Sequence, residues 1–216
     1  MTLRCQAIVF DLDGVLCDST PIAERHWRRW AEARGVPVEP ILAAHHGRPT
    51  VETIRQFAPH LDAEVEARAK ERDEADDTDG LRAFDGAARL LTAIPQARWA
   101  IATSGRRRTA TNRLRHTGLP IPPVLVTADD VQHGKPAPDP YRQAIDALGF
   151  APADCLVFED APAGIASAQA AGAAAVGIAS AGHPEWLVAA ETVIERLADV
   201  QVIVESDGLV VTLQTR

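Results

Sequence analysis

The sequence has few cysteines and no long apolar run, and each of these shortages excludes a class of protein. Its 216 residues include only three cysteines, one methionine and one tyrosine. The cysteines are scattered without the spacing of a metal site, so we expect buried thiols in a reducing cytoplasm rather than a disulfide framework. No apolar run reaches the ~18–20 residues that a membrane span needs. The opening stretch MTLRCQAIVF lacks the layout of a signal peptide, and we expect a cytoplasmic protein.

Positive charge is also scarce. The net charge is −8, which argues against non-specific binding to nucleic acid or to an anionic membrane surface. We expect a small-molecule partner, and we also expect a monomer. Of the 22 lysines and arginines, only Lys70 and Lys135 are lysines, so the chain uses arginine almost everywhere that it carries a cation.

Short apolar runs recur along the chain, and a helix-length stretch separates each from the next. This pattern predicts βαβ units and a Rossmann-like parallel sheet, the core of an α/β fold. Near the end of the chain, Asp207-Gly208 lies between two alternating apolar stretches, 201–205 and 209–213, which predicts a β-hairpin at the edge of that sheet. The predicted strands of the sheet are Ala7–Phe10, Trp99–Ala102, 124–126, 156–158 and Ala174–Ile178.

The long stretch after the first strand carries no strand signal, and it is too long for a structureless loop. We predict a small α-helical insert over residues 16–83, with the α/β core formed by residues 1–15 and 84–216. Trp27 and Trp30 share one helical stripe in this insert. Because buried aromatic side chains dominate contacts between helices, we expect both to lie in a core.

Two charged stretches are predicted to lie in solvent. Residues 61–77 are heavily charged, and oppositely charged pairs at i,i+4 spacing such as Glu66–Lys70 are typical of a solvated helix face. Residues 105–108 (GRRR) form a lone basic cluster at a predicted helix start, and we expect solvated charge there as well.

Polar side chains follow four of the predicted strands. In an open α/β sheet, ligands bind beyond the carboxyl ends of the strands, so these side chains should meet at one edge. Asp-x-Asp-Gly alone is ordinary turn composition, and the convergence of several strand ends is what indicates a site. The residues concerned are Asp11, Asp13, Thr103, Ser104, Gly105, Lys135, Glu159 and Asp160.

Carboxylates beside a single lysine form a pattern that suits magnesium and phosphate. Mg²⁺ takes carboxylate and carbonyl oxygens and keeps several waters, which leaves room for phosphate ligands. Lysine is a compact point charge that can neutralise a phosphate oxygen, and Lys135 in Gly-Lys-Pro stands out in a chain rich in arginine. A carboxylate can also act as a covalent nucleophile toward phosphorus. The alternative is that Lys135 is an ordinary solvated lysine in a loop.

Four segments together resemble the four motifs of the haloacid-dehalogenase superfamily of phosphatases. Their order and spacing match along the chain, and the insert resembles the helical cap that this superfamily places between its first and second motifs, so it is called the cap below. The strongest likeness is to the sugar-phosphate and glycerol-phosphate phosphatases. The segments are residues 10–19 (FDLDGVLCDS), 101–105 (IATSG), 134–139 (GKPAPD) and 158–164 (FEDAPAG).

The resemblance implies a Mg²⁺-dependent phosphatase of small phosphate monoesters that works through an aspartyl-phosphate intermediate. In that family pattern, Asp11 is the nucleophile. Asp13 protonates the leaving alkoxide and then activates the water that hydrolyses the intermediate. The phosphoryl group would be bound by Thr103, Ser104, Gly105 and Lys135.

The resemblance also implies a metal site and substrate-binding residues in the cap. His46 and Arg48, which flank Gly47, would contact the part of the substrate beyond the phosphate. The alternative for Arg48 is a surface position, paired with cap carboxylates such as Glu52. The metal ligands would be Asp11, the backbone carbonyl of Asp13, and Asp160, with Glu159 in support.

Three other activities share parts of this pattern. Dehalogenases need no second aspartate and no metal, so Asp13 and Asp160 argue against them. A β-phosphoglucomutase-like mutase would carry a histidine five residues after Asp18, where this chain has Ala23, and His26 lies one turn further on. A signalling receiver domain also takes phosphate on an aspartate with Mg²⁺, but it is shorter, places its acceptor in mid-chain and has no cap. The mutase is the alternative within the superfamily, and the receiver is the alternative from another class.

Overall fold

The computed structural model describes residues 1–45, 48–180 and 183–214. No helix within these ranges is long and apolar enough to cross a membrane. The strands are β1 (Thr2–Cys5), β2 (Ala7–Phe10), β3 (Cys17–Asp18), β4 (Arg82–Ala83), β5 (Trp99–Ala102), β6 (Leu125–Val126), β7 (Cys155–Glu159), β8 (Ala174–Ile178), β9 (Thr192–Ile194), β10 (Val200–Glu205) and β11 (Gly208–Leu213). The α-helices are α1 (Thr20–Arg34), α2 (Glu39–Leu42), α3 (Thr50–Phe57), α4 (Ala63–Glu74), α5 (Ala87–Ala93), α6 (Arg107–His116), α7 (Asp139–Leu148) and α8 (Pro162–Ala171).

A six-stranded parallel sheet forms the centre of the core. Its order is β6-β5-β2-β7-β8-β9, so the first predicted strand, β2, lies between β5 and β7. All of β2 is buried, because both faces of the sheet are covered. The five predicted strands and the Rossmann-like α/β fold are confirmed. The sixth strand, β9, was missed, because its three residues are too few to show a pattern.

Helices cover both faces of this sheet. On one face, α7 and α8 contribute Tyr141 and Ile165 to a buried cluster with Val9. On the other face, α5 and α6 contribute Leu90 and Leu114 to a second cluster. Because β2 is covered on both sides, its carboxyl end is fixed relative to the strands beside it.

The predicted hairpin forms, but its predicted place at the edge of the parallel sheet is wrong. β10 and β11 pair antiparallel with each other, and β11 also pairs with β1 in a separate three-stranded sheet of order β1-β11-β10. Leu209, Val211 and Leu213 of β11 are buried in the same cluster as α5 and α6. The hairpin therefore packs one apolar face against the core, and β6 and β9 are the edge strands of the parallel sheet.

Between β3 and β4 the chain forms the helices α1 to α4. β3 pairs antiparallel with β4, with Cys17 opposite Ala83, so the chain enters and leaves these helices at neighbouring points. The helices enclose a hydrophobic cluster of their own around Trp27, Trp30 and Ile54. The predicted burial of the two tryptophans is confirmed. These features support a separate cap, and its boundaries at residues 16 and 83 stay a prediction.

Helix α4 is less solvated than predicted, and the predicted Glu66–Lys70 pair is wrong. The Lys70 side chain is buried, and its Nζ lies 2.6 Å from Oε2 of Glu74. Glu66 instead accepts hydrogen bonds from Trp30 and Arg34 of α1. Because α1 packs on α4 and supplies these donors, contacts between the two helices determine the partners of Glu66, and the i,i+4 spacing within α4 does not.

Asp77, which follows α4, ties the end of that segment back to α1. Its carboxylate accepts hydrogen bonds from Arg25, and Nε2 of His26 lies 2.8 Å from its Oδ2. Burial acts to raise the pKa of Asp77, but bonds from Arg25, the amide of Asp79 and His26 outweigh it and lower the pKa to about 2. Folding therefore stabilises the charged form of this carboxylate.

We predict that Asp77→Asn lowers the free energy of unfolding at pH 7 by about 1.5–3 kcal/mol, the range for a hydrogen bond to a charged group. Because the folded pKa, about 2, lies below the ordinary 3.8, this contribution is complete well above pH 4 and is lost as the pH falls toward 2. Urea unfolding at pH 7 and pH 3 measures it. The gap between wild type and variant should be smaller at pH 3, and an equal gap at both pH values would contradict the prediction. Asp79→Asn is the control, because the Asp79 side chain is 89% exposed.

Candidate active site

At the carboxyl edge of the parallel sheet, three of the predicted side chains are in direct contact. Asp11 follows β2, and its amide donates to the carbonyl of Phe158 in β7 at 3.0 Å. Glu159 ends β7, and Lys135 comes from the loop between β6 and α7. The Lys135 Nζ lies 2.8 Å from Asp11 Oδ1 and 2.6 Å from Glu159 Oε1. All three side chains are buried, so this is an internal ion-pair network.

Glu159 is held by donors on both of its oxygens. Its Oε1 accepts from Lys135 and from the hydroxyl of Tyr141 at 2.8 Å, and its Oε2 accepts from the amides of Asp160 at 2.9 Å and Ala161 at 3.0 Å. Tyr141 lies fully buried on α7, and sequence analysis missed it. No local signal in that helix shows that the hydroxyl reaches the end of β7. These contacts fix Glu159, and Glu159 in turn orients Lys135.

Burial raises the pKa values of two carboxyl groups in this cluster. It raises the pKa of Asp11 to about 7, opposed by Lys135 and reinforced by Glu159 and Asp13. It also raises the pKa of Asp160 well above its usual value, with Glu159 and Asp11 adding to the effect. Burial acts to lower the pKa of Lys135, but attraction to Asp11 and Glu159 outweighs it and raises that pKa. The cluster therefore carries an excess of buried acidic groups over cations.

The acidic groups converge on one point. Asp11, Glu159 and Asp160 each offer a carboxylate oxygen, and these oxygens all lie within 4.8 Å of one another. Gly14 makes room for this arrangement. Its φ is +82°, and a Cβ at that position would lie only 1.8 Å from Oδ2 of Asp160. The turn that follows β2 therefore leaves space for the Asp160 carboxylate that a larger residue would fill.

The loop after β5 supplies the predicted hydroxyl. Thr103 is buried, its amide donates to the carbonyl of Val126 at 3.0 Å, and its Oγ1 accepts from the amide of Gly105 at 3.0 Å. Ser104 between them is exposed. Thr103, Ser104 and Gly105 line the same cavity as Asp11. The predicted side chains from all four strand ends are thus brought together.

An open cavity of about 840 Å³ lies over this edge of the sheet. Its volume is within the range of small-molecule sites. The core lines it with Asp11, Asp13, Thr103, Lys135 and Asp160. The cap lines it with Ala23, Glu24, Leu42, Ala43, His45, Arg48 and Glu74.

The predicted substrate contacts in the cap have different outcomes. Arg48 is exposed and lines the cavity, and its Nη1 donates to Oε1 of Gln56 at 2.6 Å. The carboxylate partner considered from the sequence, Glu52, is thus replaced by a neutral amide. His46 and Gly47 lie outside the described residues.

Ala23, where the resemblance would place the histidine of a mutase, also faces the cavity. Ala23 lines it and carries no group that could transfer a proton. His26 is buried one turn further along α1, and its Nε2 lies 2.8 Å from Asp77. His26 thus serves a contact within the cap.

Asp13 contacts an arginine that sequence analysis missed. Arg113 on α6 is buried, its Nη1 lies 2.6 Å from Oδ1 of Asp13, and its Nη2 lies 2.8 Å from Oε1 of Glu74 in the cap. The contact with Asp13 is an ion pair whose atoms are not aligned as a hydrogen bond. Three residues this far apart in sequence give no local signal of their contact.

The basic cluster at residues 105–108 is exposed as predicted, but its charges are paired. Arg106 lies 3.0 Å from Glu71 of the cap and 2.8 Å from Asp129 of the core. Arg108 contacts Asp76, which follows α4. This cluster joins the cap to the core and is more than solvated surface charge.

Comparisons with known proteins agree with this geometry. A family model for haloacid dehalogenase-like hydrolases matches residues 5–172. Hexitol phosphatase A of Escherichia coli is 38% identical over 214 residues, which cover 97% of this chain and 99% of that protein. Glycerol-1-phosphate phosphohydrolase 2 of Saccharomyces cerevisiae is 35% identical over 200 residues, which cover 83% of this chain and 77% of that protein. A hydrolase from Pseudomonas syringae of known structure is 29% identical, with a TM-score of 0.77 over 90% of this chain and 95% of that one.

The matched region contains the cap, strands β2, β5, β6 and β7, the loops that carry Asp11, Thr103 and Lys135, and Glu159 at the end of β7. The resemblance drawn from the four sequence segments is therefore confirmed. The chain belongs to the haloacid dehalogenase-like hydrolase family.

Proposed function

We propose that this chain is a Mg²⁺-dependent phosphatase that hydrolyses small phosphorylated polyols or sugars through an aspartyl-phosphate. The observation that carries the proposal is the buried contact between Asp11 and Lys135, beside Asp160 and open to the cavity. The relatives named above, a hexitol phosphatase and a glycerol-1-phosphate phosphohydrolase, support the substrate class. The monomeric state and the cytoplasmic location stay predictions from the sequence.

The proposed reaction has two steps at one phosphorus atom. First, a carboxylate oxygen of Asp11 attacks phosphorus, the bond to the ester oxygen breaks, and Asp13 gives its proton to the leaving alkoxide. Then a water oxygen attacks the same phosphorus, the bond to Asp11 breaks, and Asp13 takes the proton of the water. Inorganic phosphate leaves, and both aspartates return to their starting states.

The contacts around Asp11 suit this role. Lys135 binds Oδ1 of Asp11, which fixes the carboxylate and leaves its other oxygen for the attack. The Lys135 ammonium also offsets negative charge on the phosphoryl group. Thr103 and the amides of the loop that follows it bind the phosphoryl oxygens. Positioning and charge neutralisation are most of what phosphoryl transfer requires.

The residues at this edge fit a magnesium ion. Three carboxylates converge, the Lys135 ammonium pairs with only two of them, and Gly14 leaves room for the third, that of Asp160. We propose that Asp11, Asp160 and the Asp13 carbonyl hold the ion, while Glu159 supports them through Lys135 and the Asp160 amide. When bound, Mg²⁺ would neutralise charge on the phosphoryl oxygens.

Asp11→Asn should reduce turnover by several orders of magnitude, because the nucleophile is lost. Asp13→Asn keeps the nucleophile but loses the base of the second step. With p-nitrophenyl phosphate it should give a stoichiometric burst and a covalent phosphoenzyme, which the intact mass of the protein reports. Near wild-type turnover in Asp11→Asn would refute the covalent mechanism.

EDTA should abolish activity, Mg²⁺ should restore it, and Ca²⁺ should restore it poorly because its coordination is larger and looser. Gly14→Ala should weaken the apparent Mg²⁺ affinity by about 10-fold or more, because the new Cβ displaces Asp160. A titration of activity with Mg²⁺ measures both effects.

Gly149→Ala is the matched control for Gly14→Ala. Its φ is +80°, and no heavy atom lies within 4 Å of the added Cβ. Both variants carry the same backbone strain, which should destabilise each by about 1 kcal/mol, and Gly14→Ala adds the displacement of Asp160. Only Gly14→Ala should need more Mg²⁺. An equal change in Mg²⁺ requirement, or activity that EDTA leaves unchanged, would contradict the proposed site.

Arg48→Ala should lower kcat/KM by about 10-fold for the preferred polyol or sugar phosphate, the scale of a lost hydrogen bond to a charged group. It should barely change kcat/KM for p-nitrophenyl phosphate, which lacks the hydroxyls. Arg55→Ala is the control, because Arg55 is also an exposed cap arginine but pairs with Glu64. An equal loss on both substrates would assign Arg48 to cap closure or folding, and no loss on either would assign it to the surface.

A further inference from the structure

The two oxygens of Asp13 have different surroundings. Oδ1 lies 2.6 Å from Nη1 of Arg113. Oδ2 is on the side of the loop after β5, 3.9 Å from the point that a Cβ on Gly105 would occupy, and the Thr103 hydroxyl lies 3.4 Å from that point. One oxygen is thus held by a cation, and the other is presented to the place where the phosphoryl group would bind.

Arg113 is itself fixed by a second carboxylate. Its side chain is only 7% exposed, and its Nη2 donates to Oε1 of Glu74 at 2.8 Å. A planar guanidinium that binds two carboxylates has little freedom to rotate, so the position of Glu74 determines where Nη1 points. This contact crosses from the core, where α6 lies, to the cap.

Glu74 is in turn anchored in the cap. Its Oε2 accepts from Lys70 at 2.6 Å, and the Lys70 ammonium lies 4.4 Å from the centre of the Trp27 ring. Trp27 belongs to the hydrophobic cluster inside the cap. Buried Trp27, Lys70 and Arg113 and the partly buried Glu74 therefore connect the interior of the cap to Asp13.

We propose that Arg113 is a positioning residue for Asp13, and that Glu74 of the cap holds Arg113 in place. Arg113 turns Oδ2 of Asp13 toward the oxygen of the leaving group, so the proton donor is oriented only while the cap is seated on the core. This inference rests on the proposed phosphatase function. A displacement of about 1 Å at a reacting group can cost about 100-fold in rate, so such orientation is measurable.

The test uses substituted phenyl phosphates, which differ in the acidity of the leaving phenol but carry no hydroxyls for the cap to bind. p-Nitrophenolate leaves without a proton, whereas phenolate needs one. In Arg113→Gln, kcat/KM should fall about 10-fold or more further for phenyl phosphate than for p-nitrophenyl phosphate, a part of the 10²–10⁴ that a general acid contributes. The value of kcat/KM reports only the steps up to departure of the phenol. An equal fall for every ester would overturn the proposal.

Three further variants keep the test decisive if Arg113→Gln folds poorly. Arg113→Lys retains the charge but can reach fewer partners, and its selectivity among esters should lie between wild type and Arg113→Gln. Glu74→Gln should shift the selectivity in the same direction by a smaller factor. Glu71→Gln, one turn earlier on α4, removes a cap-to-core pair with Arg106 that does not involve Arg113, and it should leave the selectivity unchanged. Wild-type selectivity in both Arg113→Lys and Glu74→Gln would overturn the proposal.

A double-mutant cycle shows whether Arg113 acts through Asp13. The rate of phenol release is measured in a single turnover for phenyl phosphate and for p-nitrophenyl phosphate. Adding Arg113→Gln to Asp13→Asn should not change the ratio of these two rates further, because the proton donor is already absent. A further loss in that background would overturn the positioning role. Failure of the proposed function looks different, because wild-type protein would then release no phosphate from any of these esters.

Discussion

The rest of the site depends on the contacts that the buried ammonium of Lys135 makes with Asp11 and Glu159. Removing one partner of a buried ion pair leaves an uncompensated charge and costs about 3–5 kcal/mol, so Asp11, Glu159 and Lys135 hold one another in place. For two carboxylates to meet one ammonium, β2 and β7 must end at the same level, and the register that pairs Phe10 with Phe158 ensures this. The loop after β6 must also return to that edge. The electrostatics of the site and the register of the sheet are therefore one constraint.

A second constraint acts between the cap and the core, and part of it is polar. The cap has a hydrophobic cluster of its own, and Ile22 and Leu81 at its base belong to the cluster of the core. The contacts that join the two parts also include the ion pairs Arg106–Glu71 and Arg113–Glu74. An exposed pair such as the first contributes little free energy, about 0–1 kcal/mol. The buried pair is costly to break, and its geometry is specific. These ion pairs therefore add a specific geometry to the apolar contacts at the base of the cap.

Local patterns predicted the parts of the fold and site that are local. A strand buried on both faces is an apolar run, and its end is marked by the first polar residue, so β2 and Asp11 could be read directly. The place of the hairpin and the existence of strand β9 could not be predicted in this way, because pairing at a sheet edge depends on segments that are distant in the sequence. The same holds for Tyr141, which binds a residue 18 positions away, and Arg113, which binds one 39 positions away. Neither helix shows from its own sequence what its partner will be.

The two lysines of the chain show how far composition can be read. Sequence analysis singled out Lys135 and assigned Lys70 to a solvated face, yet both are buried, both pair with carboxylates at 2.6 Å, and each ammonium lies over an aromatic ring. The rings belong to Trp27 and Tyr141, at 4.4 and 4.7 Å. A guanidinium is a wide planar fork that suits the paired carboxylates around Arg113, whereas an ammonium is small enough to fit between an aromatic face and a carboxylate. Both lysines therefore lie where a buried cation is held between an aromatic ring and a carboxylate, and one of those two places is the centre of the site.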